Sequence, residues 1–109
     1  DQFWPNAMSG QLPPPGWLMI ASLFSADPGL PSAAHSEVHP RGDEVHLCMA
    51  GVMTAVLEGD DGDHRVDFEA GQVCVIPAGV WHRLEASQDS RLLTITFGEG
   101  SEHRPGPGA

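Results

Sequence analysis

The chain has 109 residues, enough for one domain with a single modest core. Fifteen acids against five bases give a formal charge of −10, which excludes a phosphate-binding stripe and disfavours nucleic acid and anionic membrane surfaces as partners. Thirteen Gly and ten Pro at 40% apolar content favour many short strands and turns over long helices.

Residues 1–16 hold Phe3, Trp4 and the run Leu12-Pro13-Pro14-Pro15-Gly16. Proline at this density forbids helix, so an extended N-terminal arm is expected. Trp17 to Ala26 is an apolar run ended by Asp27-Pro28-Gly29. A buried helix has the same periodicity, but the flanking Pro and Gly favour a strand. From His35 to His39, three candidate ligands (His35, Glu37, His39) alternate with Ser36 and Val38. Strand residues two apart share a face at about 6.6 Å spacing, so all three would project the same way. Pro40-Arg41-Gly42-Asp43 is a turn, and a strand follows with Glu44, His46 and Cys48 on one face.

Gly51 ends that strand, and Val52 to Glu58 forms the next. Gly59-Asp60-Asp61-Gly62 is a hairpin signal, because Asp-Gly supplies positive φ at little cost. Arg65 to Glu69 alternates as a half-exposed strand does, and Val73 to Ile76 is a short apolar strand. Pro77-Ala78-Gly79 turns the chain toward a short strand from His82 to Ala86. Arg91 to Phe97 has high β propensity, whereas residues 99–109 read as a flexible tail. The expected class is all-β, a small jelly-roll β-barrel over residues 17–98. Cys48 and Cys74 are too few for a disulfide framework and sit in apolar runs, as buried thiols do. No apolar run is long enough to span a membrane, and no basic segment precedes an apolar one as in a signal peptide, so a cytoplasmic location is expected. The chain begins at Asp1 without Met, as a processed or excised domain would.

Two motifs carry a family resemblance: His39-x4-Glu44-x6-Gly51, and Gly71-x5-Pro77-x-Gly79-x2-His82. In order and spacing they resemble the paired motifs of the cupins, written G-x5-H-x-H-x(3,4)-E-x6-G and G-x5-P-x-G-x2-H-x3-N. The resemblance implies a β-barrel whose mouth holds a divalent metal through His39, Glu44 and His82. Two positions depart from it: Glu37 stands where the family has its first histidine, and Ala86 where it has Asn. Glu37 is the expected fourth ligand or a general base. His35 is the alternative, if two extra residues before His39 are allowed.

Two imidazoles with one or two carboxylates suit Fe, Mn, Zn, Ni or Co as the divalent ion. If both carboxylates bind, they compensate the dication, and its bound water is less acidified than at a three-histidine site. His46 shares a face with Glu44 and is either a pocket acid/base or a packed core histidine. Trp81 and Arg83 point away from His82 by parity, and His64 and His103 are expected in solvent. The resemblance admits a metal-dependent enzyme on a small organic substrate, dioxygenase-like or an isomerase or lyase. It also admits a non-catalytic ligand- or metal-binding module, an accessory domain of a larger protein, or a metal-free structural cupin. A homodimer is expected from the family, through exchange of the first strand.

Overall fold

The computed structural model describes residues 16–25 and 35–105. The proposed N-terminal arm, the turn at Asp27-Pro28-Gly29 and the last four residues lie outside them. Among the described residues there are nine strands and no helix. They are β1 (Trp17–Phe24), β2 (His35–Val38), β3 (Glu44–Ala50), β4 (Val52–Gly59), β5 (Gly62–Glu69), β6 (Val73–Ile76), β7 (His82–Ala86), β8 (Ser90–Phe97) and β9 (Glu102–Pro105).

The strands form two antiparallel sheets, ordered β1-β8-β3-β6 and β5-β4-β7-β2-β9, as in a jelly roll. Local chemistry sets the joints. Asp60 and Asp61 make the two-residue turn of the β4–β5 hairpin, with Gly59 paired to Gly62. Gly51 has a φ of +84°, and a Cβ there would lie 2.2 Å from Ser90 Oγ and 2.5 Å from the Asp89 carbonyl. Only glycine fits that corner, where β3 passes into β4.

Between the sheets lies an apolar core of Cys48, Met53, Ala55, Phe68, Cys74, Ile76 and Leu92, with Phe24, Leu57, Val66, Val80, Leu84 and Ala86 packed around it. Both cysteines are buried and free. Burial and the charge of Glu44 push the Cys74 thiol up, which keeps it protonated at neutral pH. Arg83 faces away from His82, as strand parity requires, and pairs with Glu58 at 2.9 Å and Asp63 at 2.7 Å.

One expectation is corrected. The segment after Gly98 is not simply a tail: Glu102–Pro105 forms β9 and pairs with β2 along its whole length. Its Gly- and Pro-rich flanks hide the strand, which docks on the edge of a sheet where pairing to one side suffices.

Candidate metal centre

The barrel mouth takes donors from both sheets. In the five-stranded sheet the ladder sets Glu37 directly opposite His82 on one side and His103 on the other. Glu44 begins β3 in the facing sheet and points inward, 3% exposed. His39 follows β2 in the connection to β3, with its ring turned into the same space. The two connections are clamped together: Gly79 N–H donates to the His39 carbonyl at 3.1 Å. Ala78 N–H donates to Asp43 Oδ1 at 2.8 Å. The Pro77–Gly79 turn thereby fixes His82 relative to His39.

Glu37, His39, Glu44 and His82 bring one donor atom each to within 4.8 Å of one another. That is little more than twice a metal–ligand distance of about 2.1 Å. His35, the alternative first ligand, is exposed at the far end of β2 and outside this group. The shared-face expectation groups all three, but only Glu37 and His39 join the cluster; His35 pairs with Pro105, two residues further along the ladder.

Hydrogen bonds set the ring tautomers. His82 Nδ1 lies 3.0 Å from the Val80 carbonyl, which accepts only, so Nδ1 carries a proton and Nε2 faces Glu44 Oε1 at 2.9 Å. His39 Nδ1 lies 2.7 Å from Ser101 Oγ. His39 Nε2 is buried without an aligned hydrogen bond, 2.9 Å from Glu44 Oε2 and 3.2 Å from Glu37 Oε2. Two carboxylates facing one buried imidazole nitrogen hold its proton or, in exchange for that proton, a cation. The donor set therefore fits a divalent ion. His46 bridges Thr94 Oγ1 at 2.7 Å and Glu44 Oε1 at 2.6 Å, so it buttresses the glutamate from behind.

Burial opposes charge on every one of these groups, and their mutual pairing overrides it. Burial pushes Glu37 up, but hydrogen bonds from His103 and His39 hold it down at about 2. Burial pushes Glu44 up, but His39, His46 and His82 hold it well below the ordinary carboxylate range. Burial pushes His39 down, but Glu37 and Glu44 raise it to about 9. His82 is likewise raised by Glu44 against its burial.

Two neighbours carry no motif that marks them. Ser101 is one; His103 is exposed, as expected, but its Nε2 lies 3.5 Å from Glu37 Oε1. Glu37 raises its pKa against partial burial.

A family profile described as the cupin domain matches residues 22–98. An uncharacterized protein, L612 of Acanthamoeba polyphaga mimivirus, is 31% identical over 71 residues, 64% of this chain and 44% of that one. The chain therefore spans less than half of that relative. Among solved structures, hydroquinone 1,2-dioxygenase from Sphingomonas sp. TTNP3 superposes with a TM-score of 0.61 at 15% identity, covering 75% of this chain and 59% of that one. An oxalate oxidase superposes with a TM-score of 0.59 at 19% identity, covering 79% and 45%. At these identities the likeness is one of fold.

Proposed function

The chain belongs to the cupin family, and from that premise we propose that Glu37, His39, Glu44 and His82 bind one divalent metal ion that serves chemistry on a small organic molecule. The convergence of two imidazole nitrogens and two carboxylates within 4.8 Å of one another, three of the four residues buried, carries this reading. The donor set, two imidazoles and two carboxylates, admits Fe, Mn, Co, Ni or Zn. Such an ion would supply Lewis acidity or one-electron chemistry. The fold-level likeness to a dioxygenase and an oxidase supports the redox version.

The protein groups divide the remaining work. His39 and His82 present Nε2 inward because Ser101 and the Val80 carbonyl occupy Nδ1. Glu44 is held by His46, whose ring is 1% exposed with both nitrogens engaged. In this reading His46 acts through Glu44, by positioning it. Glu37 keeps 41% of its side chain accessible. It is the ligand best placed to yield to an incoming substrate and to take its proton at the rim. Metal analysis of protein purified without added metal tests the site, and turnover compared with and without O₂ tests the oxygenase version. Oxygen-independent turnover would remove that version.

A second reading has its own support. Four protein donors, three of them buried, resemble a closed site more than an open one. A non-catalytic binding module would use all four permanently. Glu37→Gln separates the two. It abolishes metal retention in a closed site, but in a catalytic one it leaves the ion bound and impairs turnover.

The outer face of the β1-β8-β3-β6 sheet suggests a second copy of the chain as partner. Registers align two apolar rows across all four strands, Met19–Ile95–Val45–Val75 and Ala21–Leu93–Leu47–Val73. Met19 is 71% exposed, Val73 56% and Val75 52%. No carboxylate stands in either row, so two chains of charge −10 can meet here without opposing acids. A four-stranded face of this length presents roughly 500 Å² in projection, about 1,000 Å² for a pair, the lower range of specific interfaces.

A further inference from the structure

We propose that the segment Ser101–Pro105 is a strap that completes the metal centre, with Ser101 as the positioning residue for His39. The inference rests on the four-residue group being a metal site. It concerns a segment that lies beyond the matched cupin domain, residues 22–98.

The strap works on both faces of β2. It pairs antiparallel with β2, setting His103 opposite Glu37 and Arg104 opposite Ser36. Strand alternation then sends odd-numbered residues to the metal side and even-numbered ones to the outside. On the inside, Ser101 Oγ sits 2.7 Å from His39 Nδ1. With a metal bound, Nδ1–H would donate to that hydroxyl and Nε2, its proton displaced, would face the ion between the carboxylates. Two residues on, His103 Nε2 lies 3.5 Å from Glu37 Oε1, while Oε2 of the same carboxylate faces His39 Nε2 at 3.2 Å. The strap thus touches two of the four donors.

On the outside, Arg104 anchors it. The guanidinium donates to Glu58 Oε1 at 2.7 Å and stacks 4.0 Å from the ring centre of Trp81. Trp81 adjoins His82, and its carbonyl accepts from Glu58 N–H at 2.8 Å. The entrance to the strap is tied as well, by Ser101 N–H to the Gly98 carbonyl at 3.1 Å. Partners that fix the second nitrogen of a ligating imidazole set its tautomer and orientation.

The test uses the full chain and Co²⁺ as probe, read by its visible absorption and by competition with a chromophoric chelator. Ser101→Ala is expected to weaken Co²⁺ binding by about 10- to 100-fold and to alter the ligand-field spectrum. Ser101→Thr, which keeps the hydroxyl, should restore both to near wild type. The thermal midpoint of the metal-free protein should be the same in all three, which distinguishes positioning from folding. Ser101→Ala with wild-type affinity and spectrum would overturn the strap's role and leave the metal centre standing. So would Ser101→Thr failing to rescue. A wild-type chain that takes up no Co²⁺ would overturn both.

Discussion

Glu44 is the residue on which three imidazoles converge, with His39, His46 and His82 each within 2.9 Å of one of its oxygens. Removing its charge leaves buried imidazoles facing a neutral amide. Glu44→Gln is expected to destabilise the metal-free protein by about 3 kcal/mol, measured by urea denaturation at pH 6. A change near zero would mean that the carboxylate's burial already offsets its pairing. The same contacts set a pH dependence. His39 is raised from 6.5 to about 9, so its stabilising pairing is complete below 6.5 and is lost as pH climbs through about 9. Glu37 is lowered from 4.5 to about 2, so its contribution is complete above 4.5 and is lost as pH falls through about 2. The metal-free chain should therefore be most stable between these two windows, at pH 4.5 to 6.5. A metal must displace protons from His39 and His82, so affinity should rise with pH while metal-free stability falls. Affinity that is flat from pH 6 to 9 would contradict the protonated cluster. The clustering of His39, Glu44 and His82 is legible because the two motifs fix their spacing, whereas Glu37 departs from the motif and only its distance from His39 favours it over His35. Ser101 is not legible, because its partner His39 is 62 positions away and a serine near glycines looks like a turn.

At the scale of elements, strands read best where turns are chemically forced. Asp60-Asp61 with its flanking glycines, the Pro77–Gly79 turn and Gly51 all mark joints that the structure uses. Gly51→Ala is expected to cost about 2–4 kcal/mol, since the new Cβ must adopt a left-handed backbone and displace the Ser90 corner. A loss below about 0.5 kcal/mol by urea denaturation would show that the corner relaxes freely. β9 was illegible for the opposite reason. Four polar or proline residues between Gly- and Pro-rich flanks carry no alternation, and only the exposed edge of β2 makes them a strand. Period-two alternation puts His35, Glu37 and His39 on one face but does not fix how far along β2 the centre lies; the ladder, with Glu37 opposite His82, does.

At the scale of the whole molecule, apolar rows on the outer face of one sheet and polar convergence at the barrel mouth make separate demands. Leu47→Asp, in the middle of one row, should turn a dimer into a monomer by light scattering without loss of metal binding. A wild-type monomer at tens of micromolar would contradict pairing through that face. The metal centre requires four side chains from two sheets to meet at one ion. Anomalous scattering from crystals grown with Co²⁺ or Mn²⁺ tests this most directly. The account predicts a single strong peak about 2.1 Å from Nε2 of both His39 and His82 and from a carboxylate oxygen of Glu44, with Glu37 completing the set. A peak held by other residues, or none at the barrel mouth of a metal-soaked crystal, would contradict it.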